Sequence, residues 1–157
     1  MTIRQARTED IPAVVELIRG LADFEHLPGP DAGAGIRLAK HLSERRFGLL
    51  VAEETGAIVG YALYFHTYST FRAQPSLYLE DLYVDPHHRS HGIGEALLRR
   101  VASIAVAEGC GRFEWTVLDW NTRAQQFYAR MGAETLAQWR VCRVEGEALD
   151  RLGAPVV

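Results

Sequence analysis

The chain has 157 residues and a mass of 17.5 kDa, enough for one domain, 1–157, that buries about 70% of the surface its unfolded form exposes. Its formal charge of -3, with acids and bases interspersed, supplies no basic patch or tail, which excludes a nucleic-acid partner and suits a small cationic one. Met1-Thr2-Ile3-Arg4-Gln5 lacks the apolar core of a signal peptide, and no apolar run nears the ~20 residues of a membrane span, so no membrane partner and a cytoplasmic location are expected.

Residues 2 to 7 read as a short strand. Thr8-Glu9-Asp10, with Pro12 near the first helical position, opens an amphipathic helix that carries Ile11, Val14, Val15, Ile18 and Leu21 and ends between Ala22 and Glu25. The Pro/Gly-rich stretch from Leu27 to Gly35 is long enough for a mobile lid, and a short helix over 36–45 follows. Phe47 to Glu53 and Ile58 to His66 are strands joined by the hairpin signature Glu54-Thr55-Gly56-Ala57. A third strand, Leu77 to Val84, is closed by Asp85-Pro86. A helix over 93–108 ends at Gly109, a strand spans 112–118, a helix over 122–131 ends at Gly132, and residues 134–145 pair as closing strands. The fold class is mixed α/β (α+β): a central, mostly antiparallel sheet flanked by helices.

The run Arg89-Ser90-His91-Gly92-Ile93-Gly94 links the third strand to an apolar-patterned helix. A helix start offers unpaired N–H groups and the positive end of a dipole, and glycines let that backbone approach a pyrophosphate. Neither the nucleotide-triphosphate loop nor the dinucleotide fingerprint fits the spacing, since Leu97 stands where the latter needs its third glycine. Alternation in the preceding strand puts Leu77, Leu79, Asp81 and Tyr83 on one face and Tyr78, Glu80, Leu82 and Val84 on the other, so two adjacent carboxylates point to opposite sides. His87, His88 and His91 crowd the loop, but without a Cys or a clear fourth ligand among them no metal is expected. Cys110 and Cys142, far apart, read as reduced packing thiols.

Arg89-x-x-Gly92-x-Gly94 after a strand, followed by Asn121, Phe127-Tyr128 and Gly132, resembles the acetyl-CoA signature of the GNAT acetyltransferases. Tyr78 to Val84, Trp120-Asn121, Trp139-Arg140, Ile3-Arg4-x-Ala6 and the stretch from Leu17 to Glu25 are similar to its diamine (spermidine/spermine) N-acetyltransferase branch, so the resemblance spans nearly the whole chain. It implies the single-domain GNAT fold and acetyl transfer from acetyl-CoA to the primary amine of a small cationic substrate, by direct transfer in a ternary complex. It also implies that Leu82, Tyr83 and Val84 hold the pantetheine arm and acetyl carbonyl, that Arg89, Ser90, His91, Gly92, Ile93, Gly94 and Glu95 bind the pyrophosphate, and that Asn121, Arg123, Ala124 and Tyr128 complete the cofactor site.

Transfer of an acetyl group from a thioester to an amine needs a deprotonated amine and a proton for the leaving thiolate. Tyr128, two helical turns after Asn121, is the family's general acid, and a phenol near pKa ~10 can protonate a thiolate. Glu80 is the candidate general base, through water, with Asp81 and Glu25 as anchors for the cation and Phe24, Trp115 and Trp139 as packing contacts for the acceptor. Asn121 can equally be a plain helix N-cap, Phe127-Tyr128 plain core packing, and Glu80 and Asp81 partners of a nearby Arg. Phe24 where that branch has Tyr, the absence of acids from Thr135 to Gln138, and the Pro/Gly-rich linker favour a short diamine or lysine-like amino acid over a long polycation. The competing possibilities are an acyl-CoA-binding module and an acetyltransferase of peptide amines. A homodimer is expected through the closing segment, where Trp139 to Val144 form a strand-like run and Leu149, Leu152, Val156 and Val157 add apolar surface.

Overall fold

The computed structural model describes residues 1–155, so Val156 and Val157 of the expected dimer surface lie outside the described residues. The chain forms two compact units, Met1–Thr116 and a second that starts at Val117.

In the first unit, strand β1 (Thr2–Gln5) leads through a 3-10 turn, Thr8–Asp10, into helix α1 (Ile11–Glu25). Asp10 is held there because its carboxylate accepts from the Arg7 N–H at 2.7 Å and from the Arg4 guanidinium at 2.7 and 2.9 Å. Arg4 also donates to Glu53, which ties β1, the start of α1 and the second strand together. Helix α1 ends as His26 turns left-handed (φ 58°) and the Leu27 N–H reaches back to the Ala22 carbonyl. Helix α2 (Ala34–Ser43) begins two residues before the predicted start, because Asp31 accepts from the Gly33 N–H and pairs with Arg37.

Strands β2 (Gly48–Glu54), β3 (Ala57–Ser69) and β4 (Gln74–Val84) follow as an antiparallel meander, and the sheet order is β1-β2-β3-β4-β5. Thr55 and Gly56, both at positive φ, make the tight turn between β2 and β3. β3 and β4 run further toward their common turn than the strand formers alone suggested, with Ser69 pairing Gln74. One sheet face packs Leu49, Val51, Tyr61, Leu63 and Tyr83 against Ile11, Val14, Val15 and Leu17 of α1. On α3 (Ile93–Ala107), Ile93, Leu97, Leu98, Val101 and Ala105 are buried where the helix packs on β2, β3 and β4. Burial of each such aliphatic side chain contributes roughly 1.5–3 kcal/mol, which makes these two layers the main source of the unit's stability.

The strand expected over 112–118 is only β5 (Phe113–Glu114), parallel to β4 and paired at Leu77 and Tyr78 alone. The ladder stops just before the bulge of β4 at Glu80, and a bulge locally disrupts regular strand pairing.

In the second unit, α4 (Thr122–Arg130) forms as predicted and a short helix, α5 (Glu147–Leu152), follows the closing segment. Residues 134–145 do not pair as strands among the described residues, and Leu136, Trp139, Val141 and Val144 are exposed. Two short strands without a third or a covering helix are marginal in water, so the extended sequence pattern does not by itself make a sheet.

Candidate active site

The bulge in β4 rearranges the two carboxylates read from the sequence. Asp81 pairs with Leu63 and Leu79 with Tyr64, which leaves Glu80 as the extra residue. Leu63 and Tyr83 both face α1, so Asp81 lies on that face, whereas Leu77 and Leu79, paired to His66 and Tyr64, fall on the other. The strict alternation predicted for Leu77 to Val84 is therefore broken at Glu80, because one inserted residue reverses the phase of everything before it.

Glu80 is exposed and Asp81 is half-buried. The Tyr61 hydroxyl donates to Asp81 Oδ2 at 3.1 Å. Burial pushes the Asp81 carboxyl up to about 6, opposed by the Tyr61 hydrogen bond and reinforced by the nearby charges of Glu80 and Glu25. Burial also raises Glu25, at the end of α1, and lifts the Tyr61 phenol well above its ordinary range, with the Asp81 and Glu25 charges adding to the effect on Tyr61. Three acidic groups thus converge from α1 and β4. Tyr61 was not foreseen as a member of this cluster: a tyrosine inside an apolar strand carries no signal that distinguishes it from core.

Just beyond, Arg89 braces the end of β4 against the end of α1. Its Nε donates to the Val84 carbonyl at 2.8 Å, and its guanidinium lies 5.2 Å from the centre of the Tyr83 ring and 5.7 Å from that of Phe24. Gly20 of α1 makes room for Tyr83, since a Cβ there would sit 2.7 Å from the Tyr83 hydroxyl oxygen. Phe24 is exposed, and Tyr83 and Val84 are buried with Leu82 half-buried.

The loop from Asp85 to Gly92 is held by the chain's own polar groups. The Asp85 carboxylate accepts from the His87 N–H at 2.8 Å. His88 Nδ1 is 2.9 Å from Glu54 Oε2, which fastens the loop to the β2–β3 turn and holds the Glu54 carboxyl below its usual range. Ser90 (φ 68°) and Gly92 (φ 77°) are both left-handed, Ser90 and His91 are exposed, and Ile93 is the buried anchor of α3. Gly92 caps α3 without a side-chain acceptor, and Glu95 pairs with Arg99. The N–H groups of the first turn are thereby left for an anion, which fits a pyrophosphate. A Cβ on Gly94 would meet only Val84 Cγ2, at 3.8 Å, so the protein itself leaves space at that position.

The β4–β5 pairing ends at Tyr78, and β4 continues for six further residues, Leu79 to Val84. The backbone edge of this run is geometrically suited to a ligand's amide groups, which can add to it as a strand would. Trp115, after the last pair, stacks at a tilt on Phe113 with ring centres 4.9 Å apart.

In the second unit, Asn121 caps α4: its side-chain oxygen accepts from the Ala124 N–H at 3.1 Å. The Gln125 amide donates to the carbonyls of Leu118 and Asp119, fixing the turn before the helix. Tyr128 is half-buried, its ring tilted on Phe127 at 5.2 Å, while Arg123 and Trp139 are exposed. A cavity of about 430 Å³ between α1 and α2, bounded by Ile11, Pro12, Val15, Ile36 and Ala39, contains none of the predicted site residues.

Residues 14–133 match the acetyltransferase (GNAT) family. The chain belongs to that family. It is an N-acetyltransferase, an acyltransferase enzyme, and its sheet and flanking helices are the family's fold. It is 36% identical over 168 residues to a thialysine N-epsilon-acetyltransferase of Bos taurus, covering 96% of this chain and 95% of that one. It is 42% identical over 95 residues to an L-ornithine N5-acetyltransferase of Arabidopsis thaliana, covering 60% of this chain and 42% of that one. An integron cassette protein of V. cholerae superimposes with a TM-score of 0.80 at 26% identity, over 98% of both chains. Among the described residues, no helix is long and apolar enough to cross a membrane.

Proposed function

We propose that this N-acetyltransferase takes acetyl-CoA as co-substrate and, as acceptor, a short cation with a primary amine, of the lysine-like or diamine class, in a ternary complex. The convergence of Glu25, Glu80 and Asp81 carries the proposal, because a carboxyl pushed up to about 6 by burial and by the charges of Glu80 and Glu25 is returned to its charged form by a bound cation. The thialysine and ornithine acetyltransferases named above agree in acceptor class.

In this scheme Asp81 and Glu25 hold the distal charge of the acceptor, and Phe24, Trp115 and Trp139 pack against its alkyl chain. Glu80, exposed to solvent at the bulge, takes a proton from the ammonium through water. The freed nitrogen attacks the acetyl carbonyl carbon, the carbon–sulfur bond breaks as the Tyr128 phenol gives its proton to the departing thiolate, and the second proton lost from nitrogen as the amide forms passes through water to the Tyr128 phenolate. The N–H groups at the start of α3, with Arg89 to Glu95, are assigned to the pyrophosphate. The edge of β4 from Leu82 to Val84 is assigned to the pantetheine and the developing oxyanion, and Asn121, Arg123 and Ala124 complete the cofactor contacts. The protein would work in the cytoplasm as a single 1–157 domain and as a homodimer, whose partner covers the exposed Trp139, Val141, Leu149 and Leu152.

The test is thiol release from acetyl-CoA with lysine, thialysine, ornithine, putrescine, spermidine and a peptide as acceptors. Short diamines or lysine-like amino acids should give the highest kcat/KM. Preference for the peptide or for a neutral amine would contradict the acceptor class.

A further inference from the structure

At the far end of α3 from the glycine loop, 15 residues or ~22 Å along the helix, three side chains of different chemistry meet. His66 Nε2 lies 2.6 Å from Glu108 Oε2, and these atoms and the Cys110 Sγ all fall within 4.8 Å of one another. We infer that His66, Glu108 and Cys110 bind a divalent ion of the zinc class.

The geometry is close to what such an ion needs. Tetrahedral zinc, with bonds of ~2.0–2.3 Å, separates its ligand atoms by ~3.3–3.8 Å, so the carboxylate and imidazole need to part, and the sulfur to close in, by no more than about an ångström each. His66 and Glu108 are exposed and have freedom to do so, and Cys110 is half-buried. An imidazole nitrogen, a thiol sulfur and a single carboxylate suit zinc and its neighbours, whereas magnesium and calcium take oxygen shells.

The backbone beneath the three donors is fixed. His66 pairs with Leu77 in the β3–β4 ladder. The Glu108 N–H bonds the Ile104 carbonyl, the Cys110 N–H bonds Ala105, and left-handed Gly109 (φ 69°) turns the chain between them. The Gly111 N–H bonds the Pro75 carbonyl and the Leu77 N–H bonds Arg112, which seats the Cys110 segment on β4. An ion held here clips β3 to the corner between α3 and β5, with water free to fill the fourth position. Its effect is on stability rather than on acetyl transfer. No local motif announces this site: His66 and Glu108 are 42 residues apart and no ligand spacing links them.

The experiment uses the reduced full chain, stripped with a chelator and titrated with Zn²⁺ by calorimetry and with Co²⁺ by absorption. One equivalent of Zn²⁺ should bind at micromolar concentration or tighter and raise the melting temperature, while Mg²⁺ should do neither. Co²⁺ should show a thiolate charge-transfer band and the intense d–d bands of four-coordinate geometry. Cys110→Ser should abolish the charge-transfer band, and His66→Ala and Glu108→Gln should each weaken binding by roughly tenfold or more. Cys142→Ser should change nothing. Absence of stoichiometric binding, or binding unaltered in His66→Ala and Cys110→Ser variants whose circular dichroism is native, would overturn the inference.

Discussion

The two ends of the segment from β4 to α3 are built on opposite electrostatic terms. In the glycine loop, Asp85, His88 and Arg89 each find a partner within the chain, and the N–H groups at the helix start have no side-chain cap. At the β4 bulge, the charges of Glu80 and of Glu25 from α1 act against the charged form of Asp81, and the hydroxyl of Tyr61 bonds it. One region pairs its charged side chains internally and leaves a helix start without a side-chain cap; the other carries unrelieved negative charge. On the proposed assignment, the cofactor side rests on backbone geometry and the acceptor side on unrelieved charge.

The largest effects should fall on the proton-transfer groups. Glu80→Gln and Tyr128→Phe are each expected to lower kcat by 10²- to 10⁴-fold with acetyl-CoA affinity kept, as read by steady-state kinetics beside equilibrium binding. A smaller and different effect is expected one residue on. Asp81→Asn should raise the KM for the amine while stabilising the fold. A carboxyl whose folded pKa is raised supports the folded state below its unfolded pKa and opposes it as pH climbs through about 6. The variant's advantage should therefore be absent near pH 4 and full above pH 7, at most about 3 kcal/mol in urea unfolding. If Asp81→Asn and Glu80→Gln behave alike in both kinetics and stability, the division of labour created by the bulge is wrong.

These two neighbours also show where sequence reasoning stops. The loop was legible because its signal is local: Asp85-Pro86 closing a strand, then Gly92 and Gly94 opening an apolar helix, fix a strand–turn–helix within a dozen residues. The N-cap role of Asn121 was legible for the same reason. The acidic cluster was legible only in part. Glu25 and Asp81 were named, but their approach depends on where α1 ends, on a bulge that no residue type announces, and on Tyr61 from a third element. The strand over 112–118 failed likewise: its residues favour extended backbone, yet the length of a ladder depends on the partner strand, and the pairing stops at Tyr78, before the bulge of β4 at Glu80.

On the loop side the expected effects are smallest in stability and separable from ligand approach. Gly92→Ala, at φ 77°, should cost roughly 1–2 kcal/mol of unfolding free energy. Gly94→Ala should leave the melting temperature unchanged, because its Cβ would meet only an ordinary contact, but should raise the dissociation constant for acetyl-CoA. Unchanged affinity in Gly94→Ala would remove close backbone approach from the account of the cofactor side.

The central claim, that the charge-strained end of β4 is an amine site, is tested most directly by following the Asp81 carboxyl through a pH titration by NMR, with and without a short diamine. In the free enzyme it should titrate at about 6. With the amine bound its midpoint should fall, since a neighbouring cation favours the charged carboxylate. A midpoint that does not move when the enzyme is saturated with an amine it acetylates would place the acceptor elsewhere and contradict the account.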